Sequence, residues 1–317
     1  MVLALALAAV VTTVGGQRDA VAALFSRLSL PWLLAAALVM STGVVCLALR
    51  WRALFPPAVE AGVAPLTTIL LVGTLLNYAL PGPVGEFVGA AMAGRRFRFA
   101  AEAAFAAGVH ARFIGLGLSG LAAIALLGSG VVPLPEGADT WIKIATVAIG
   151  GGAVVLAALS AFPARLAALS TATVGRVRLL HRLDASVHRF ADALALLRGA
   201  GPGPYFRAAG WAIAGHGCVM AGVWIAGHGM GQAPLLPGLV FTYAASTAGA
   251  IVLFAFPGSQ LGWDAMFASL LATTAGIDVA TSIALALLVR MQQLALVSLG
   301  AVALAGWMRD ESRGSRG

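Results

Sequence analysis

Asparagine and lysine are almost missing from this chain, with Asn77 the sole asparagine and Lys143 the sole lysine among 317 residues. Charge of either sign is scarce, because Asp, Glu, Lys and Arg make up 10% of the chain against 60% hydrophobic residues. A soluble domain carries about a quarter charged residues, so this composition excludes one. The mean hydropathy of +0.95 points instead to a polytopic membrane protein. Cysteine is limited to Cys46 and Cys218, each inside an apolar run and without metal-ligand spacing. Neither a disulfide framework nor a zinc site follows from such a pair, which reads as inert packing.

Catalytic signatures are absent as well. No Walker A, HExxH or GxSxG pattern occurs, which excludes ATP hydrolysis and hydrolase chemistry as read from motifs. Gly115 to Gly120 matches G-x-G-x-x-G, but no strand precedes it and it lies inside an apolar span, so dinucleotide binding is excluded. His181, Asp184 and His188 have helical spacing that could hold a metal, yet they sit among arginines and read as a solvated face. The expectation is a protein that is not an enzyme and takes no cofactor or metal.

What remains is apolar. Runs appear at roughly 1–16, 31–49, 66–80, 84–94, 101–127, 141–162, 205–227, 238–256, 262–276 and 280–307. Val2 to Val14 lacks a basic flank and a small-x-small cleavage site, so it reads as a short first membrane helix rather than a signal peptide. A spanning helix needs about 20 residues. Runs 66–80, 84–94 and 262–276 fall short, and 238–256 ends at Pro257-Gly258 against a short partner. Segments 66–94 and 238–276 therefore read as re-entrant broken-helix hairpins, with six full helices around them. The 39 glycines exceed the typical share of about 7% and suit close helix packing.

The breaks have a chemical logic. Pro81, Gly82, Pro83 and Gly85 interrupt the first hairpin ahead of Glu86, and Pro257, Gly258 and Gly262 interrupt the second ahead of Asp264. Irregular backbone at membrane depth survives only where protein or a water-filled cavity covers it. Asn77 and Gln260 either satisfy the freed backbone groups or contact a substrate.

Arginine sets the orientation. With the N-terminus inside, 15 of the 20 basic residues fall on cytoplasmic segments, while Arg18, Arg27 and Lys143 fall outside. Both termini are then cytoplasmic, and the hairpins open from opposite faces. Segment 31–127 with its hairpin and segment 205–307 with the other form an inverted repeat, the architecture of many secondary transporters. Between them, 163–202 reads as an amphipathic, Arg-rich connector on the cytoplasmic face or a plain connector beneath the bundle. Residues 1–308 form one transmembrane domain, and 309–317 is polar and expected to be disordered.

Arg112 and Arg290 lie within spans, and each follows an acidic residue by 26 positions, Glu86 and Asp264 respectively. An intramembrane charge costs from about 2.5 kcal/mol upward, so it normally faces the interior and has a partner. Glu86 and Asp264 open half-helices whose dipoles favour an anion, and arginine suits capture of phosphate or carboxylate. These four residues read either as the lining of a headgroup cavity or as two buried ion pairs. His110, near Arg112, is a candidate proton relay or a packed histidine.

These residues carry a resemblance. Leu49-Arg50-Trp51-Arg52, Asn77 with Pro81-Gly82-Pro83-Val84-Gly85-Glu86, then Arg112, Pro257-Gly258, Gly262-Trp263-Asp264 and Arg290 stand in the order found in one family. The chain resembles the flippase-like transmembrane family typified by the membrane domain of lysylphosphatidylglycerol synthase/flippase proteins. It departs in carrying Pro83 and Gly89 where basic residues are common, Ala111 where an acid is common, and Asp264 for a usual Glu. The resemblance implies lipid translocation rather than synthesis, since no aminoacyl-transfer domain is present in the 317 residues. The expectation is a plasma (inner) membrane protein that moves a phospholipid or polyprenyl-linked lipid headgroup between leaflets. The alternative is a non-transporting partner that presents lipid to a separate glycosyltransferase or acyltransferase. Nucleic acid is not an expected partner.

Overall fold

The computed structural model describes residues 15–80, 84–134, 137, 139–173, 187–188, 191–192, 194–195, 201–253 and 259–314. Pro81, Gly82, Pro83, Pro257, Gly258, His181 and Asp184, and with them most of 1–16 and of the connector, lie outside the described residues. Everything regular among the described residues is helical: α1 (Arg18–Arg27), α2 (Leu30–Arg52), α3 (Val63–Ala79), α4 (Val84–Phe97), α5 (Ala101–Gly128), α6 (Asp139–Ser160), α7 (Pro163–Thr173), α8 (Gly203–Gly229), α9 (Leu236–Leu253), α10 (Ser259–Thr274) and α11 (Val279–Gly314). Five of them, α2, α5, α6, α8 and α11, are long and apolar enough to cross a membrane. The protein is a polytopic helical bundle.

Helix ends follow local chemistry. Leu80 precedes a proline and takes an extended conformation, φ −124° and ψ 146°, which closes α3. Gly231 and Gly276, with φ of 82° and 69°, turn the chain after α8 and α10 in the left-handed region that only glycine enters at no steric cost. Helix α1 covers a stretch with no apolar run of its own. It docks through Val21 and Leu24, which join a core containing Met40, Val223, Leu239, Phe267 and Leu285. Helix α11 runs on through Gly314. The tail expected to be disordered from residue 309 is thus helical for most of its length, because extending a formed helix costs far less than starting one. Of the connector, α7 keeps Leu169 exposed and buries Ser170, while Leu194 beyond it is buried.

The chain divides into two compact units, and the division cuts each of the five long helices near its middle. One unit, Val45–Leu118 with Ala153–Ile213 and Val297–Gly317, holds α3 and α4 whole. The other, Met1–Val44 with Ser119–Gly152 and Ala214–Leu296, holds α9 and α10 whole. In each unit the two short helices pack on one another as a hairpin. At 17 and 14 residues, α3 and α4 reach about 25 and 21 Å, short of a hydrocarbon core of about 30 Å. Helices α9 and α10, at 18 and 16 residues, reach about 27 and 24 Å.

Glycine sets the closest approaches. A Cβ on Gly85 would lie 1.8 Å from the carbonyl oxygen of Gly73, so α3 and α4 touch backbone to backbone beside the break. In the other hairpin a Cβ on Gly238 would lie 1.9 Å from the carbonyl oxygen of Thr274, at the end remote from the break. There the Thr242 and Thr274 hydroxyls bond at 2.9 Å, and Leu235 N–H donates to Ala275 O at 2.8 Å.

Candidate functional site: a charged cavity beside the first hairpin

Helices α2, α3, α4 and α5 line a half-open cavity of about 160 Å³. Its charged lining is Arg50 from α2, Glu86 from α4 and Arg112 from α5, while α3 contributes Asn77 and Thr74 but no charge. Apolar wall comes from Trp51, Ile69 and Phe105, among others. Each element has a reason to be there. The Trp51 indole N–H donates to the carbonyl of Ala104 at 2.9 Å, tying the end of α2 to the start of α5. Gly108 leaves room for that indole, since a Cβ there would lie 3.1 Å from its nitrogen. Phe55 packs edge-on against Trp51 at 5.4 Å and leans on Phe99 at 4.9 Å, filling the corner below.

Asn77 has a defined task. Its Oδ1 accepts the Gly85 N–H at 2.8 Å, so the side chain at the end of α3 satisfies one of the orphan donors that open α4. The first-turn carboxylate of that helix, Glu86, forms an ion pair with Arg112. Only one carboxylate oxygen is engaged, and Oε2 is buried with no hydrogen-bond partner among the described residues. Arg112 keeps 40% of its side chain exposed and Glu86 17%. Asn77, Gly85, Glu86 and Arg112 thus line one cavity.

The second charged set forms a different kind of contact. Arg290 Nε and Nη2 donate to Asp264 Oδ2 and Oδ1 at 2.8 and 2.7 Å, a two-pronged pair, and Nη1 donates to Gln293 Oε1 at 2.9 Å. Trp263 beside Asp264 stacks on Phe267 at 4.7 Å and meets Tyr243 edge-on at 6.3 Å. The Tyr243 hydroxyl lies 3.1 Å from His216 Nδ1. Gly262 is half-buried in α10, and Gln260 belongs to that helix's first turn, its side chain lying outside the described residues. Both acids are ion-paired, and the Glu86–Arg112 pair lines a cavity.

His110 does not line the cavity. It is 2% exposed, its ring lies edge-on to Tyr205 at 5.2 Å, and neither ring nitrogen has a hydrogen-bond partner among the described residues. His188 bonds to the Thr171 hydroxyl at 2.9 Å, and the described residues hold no cluster of three metal-binding side chains. Arg50 and Trp51 were legible only as a basic flank and a family pattern, Phe105 not at all; the missed signal was their place one or two turns from a helix end. Gln293 was missed too, although a glutamine three residues after Arg290 on an apolar helix shares its face.

Outside the membrane-spanning segments, Asp278 caps α11. Its Oδ1 accepts the Thr281 N–H at 2.7 Å, its Oδ2 accepts from the Gln232 side-chain amide, and its own N–H donates to Gln232 Oε1 at 3.2 Å. Partial burial works to raise the Asp278 carboxyl, but the bonds from the Thr281 backbone and from Gln232 outweigh it and hold the carboxyl below its ordinary range.

No curated protein and no solved structure matches the chain. A family model does: the lysylphosphatidylglycerol synthase transmembrane region, over residues 1–301. With that match covering nearly the whole length, the chain belongs to the family of lysylphosphatidylglycerol synthase transmembrane regions.

Proposed function

We propose that this protein translocates the phosphate-bearing headgroup of a phospholipid or polyprenyl-linked lipid between leaflets, without altering it chemically. The observation that carries this reading is the cavity beside the first hairpin. There Arg112, within a membrane-length helix, lines a space together with Glu86, Asn77 and aromatic residues and keeps two-fifths of its side chain exposed. A purely structural arginine at membrane depth is expected to be sealed by its partner. In this mechanism both hairpins are re-entrant and open from opposite faces of an inner membrane, with both termini cytoplasmic. Arg112 binds the headgroup phosphate as a charge-assisted donor, Glu86 balances it, and the tails stay in the bilayer. The membership of a lipid-associated family supports the choice of cargo.

The test is headgroup movement in proteoliposomes containing tail-labelled lipids. Arg112→Ala is expected to slow translocation at least tenfold while its melting curve in detergent stays within a few degrees of wild type. Unchanged movement in the variant removes Arg112 from the mechanism. Lipid bound tightly by wild type but never moved turns the protein into one that presents lipid to a partner.

A further inference from the structure

A headgroup held beside the first hairpin stays attached to its hydrocarbon chain, and the helices around the cavity leave that chain few ways out. Helices α3 and α4 touch backbone to backbone at Gly73 and Gly85. Helices α2 and α5 are tied by the Trp51 indole on the Ala104 carbonyl, with Gly108 making room for the ring. Helices α2 and α3 share a buried core, to which one brings Ala48 and Trp51 and the other Leu66 and Ile69. The seam between α4 and α5 is bridged instead by side chains. These are the Glu86–Arg112 ion pair and a near-parallel stack of Phe87 on Phe105, with ring centroids 4.5 Å apart and an interplanar angle of 8°. We infer that a lipid's hydrocarbon chain leaves the cavity through this seam and lies against Phe87 and Phe105, which form a chain-binding site continuous with the headgroup cavity. This inference rests on the cavity being the headgroup site proposed above.

The two rings connect inside to outside. Phe105 lines the cavity and is half-buried, whereas Phe87 stands outside the lining and is 55% exposed. Ala91, one turn beyond Phe87 on the same face of α4, is exposed too, so the apolar path continues along that helix. Each ring has a charged neighbour. Phe87 follows Glu86 directly, and Phe105 precedes Arg112 by seven residues, about two turns on one face of α5 and about 10 Å along its axis. A phosphate at Arg112 therefore has an apolar wall within reach of its tail. Helix α5 is long and apolar enough to cross a membrane, so the medium outside the seam is hydrocarbon. A protein partner fits this surface poorly, since one exposed ring beside an alanine falls far below the roughly 1,000 Å² that a specific interface buries.

A chain-binding site behaves differently from an ordinary bilayer-facing phenylalanine. Exposed apolar side chains on a membrane helix touch bulk lipid without preference, and that contact neither fills up nor depends on a headgroup. A chain held at the seam belongs to a lipid whose phosphate is held at Arg112, so its contact with the two rings saturates and is lost when the headgroup contact is lost. Flat rings suit the task, because each presents a large apolar face. The chemistry they read is a long apolar chain joined to a phosphate, whether the chain comes from a diacyl lipid or from a polyprenol.

The experiment is photo-crosslinking in phosphatidylcholine vesicles that hold the full-length protein. Trace probes are phosphatidylglycerol, phosphatidylethanolamine and a polyprenyl phosphate, each with a diazirine in its chain. Adducts are mapped by mass spectrometry at Phe87, Phe105 and, for comparison, Leu121, which is 56% exposed on the same helix as Phe105. Labelling at Phe87 and Phe105 is expected to fall at least fivefold when the same lipid without diazirine is added in excess, and as far in Arg112→Ala. Labelling at Leu121 should change less than twofold in both cases. Phe87→Ala and the bulkier Phe87→Leu should each cut the saturable labelling of Phe105 at least threefold, and Leu121→Ala should leave it unchanged. Labelling at the two rings that saturates no more than at Leu121, or that survives Arg112→Ala, overturns the inference. So does full labelling of Phe105 in Phe87 variants that melt like wild type, or a Phe87 shielded from every probe by a second copy of the chain. If only some of the probes label saturably, their headgroup or chain names the source and the seam stands. Saturable labelling with no headgroup movement in the vesicles sinks the translocation reading alone, and movement with unsaturable labelling sinks this inference alone.

Discussion

In the first hairpin the ion pair opens onto a cavity, with Arg112 and Glu86 keeping 40% and 17% of their side chains exposed. In the second, Arg290 and Asp264 keep 12% and 18%, and the guanidinium grips both carboxylate oxygens. Each pair has the same 26-residue spacing from acid to arginine. The hairpins also differ in where they are tight. The first closes at Gly73 and Gly85, next to its break, and the second at Gly238 and Thr274, away from its break. The difference teaches that equal spacing supplies equal charges and leaves their use to the surrounding packing. A planar fork that grips both carboxylate oxygens acts as a strut, while the Glu86–Arg112 pair keeps its arginine partly exposed beside a cavity.

The largest effect should come from breaking the strut. Arg290→Ala leaves Asp264 buried without its partner and is expected to cost about 3–5 kcal/mol. Arg112→Ala strands Glu86, which is buried to the same degree, but it removes a contact to one carboxylate oxygen and leaves Arg50 lining the same cavity, so it should cost less, about 1–3 kcal/mol. Thermal unfolding of both variants in one detergent reads the comparison directly, and equal losses would erase the distinction between the pairs. Next comes the glycine contrast. Gly85→Ala and Gly238→Ala each drive a methyl into a carbonyl and should cost about 1–3 kcal/mol. Gly249→Ala in α9 meets only the flexible end of Met266 and should cost much less. Gly85→Ala should also lower lipid movement, being next to the cavity, whereas Gly238→Ala should act through stability alone.

Much of this was legible in the sequence because hydrophobic length and scarce charge are one-dimensional signals. The helical class, the long spans and the short paired helices follow from run lengths, and the two acid–arginine pairs from being the charges left inside those runs. Asn77 was readable as a backbone partner because its side-chain amide, four residues ahead of Pro81, offers an acceptor to an N–H freed by the break. What stayed hidden depends on side-chain geometry across helices. No spacing rule tells a one-oxygen pair from a two-oxygen grip, or shows that Arg50 lines the same cavity as Arg112. Helix α1 was hidden for a related reason: its polar face outweighs the Val21 and Leu24 that dock it. The helical continuation past residue 309 escaped because a charged, Gly- and Ser-rich segment resembles coil until a long helix feeds into it.

The smallest effect sharpens the comparison at the hairpin bases. Helix α3 starts at Gly62 with no side-chain cap, whereas the return from α10 into α11 is clasped by Asp278, Thr281 and Gln232. Asp278→Asn should cost below about 1 kcal/mol at pH 7, since the group is exposed and its charge screened. The folded carboxyl ionises below its unfolded value of about 3.9, so the clasp contributes fully above that pH and is lost as pH falls through the folded value. Hydrogen exchange at pH 7 should then show faster opening at residues 279–282 in the variant and no change at 63–66. The difference should shrink as pH falls below about 4 and vanish once pH is below the folded value. Faster exchange at the start of α3, or a difference that persists in acid, would mean that the two bases are held in the same way after all.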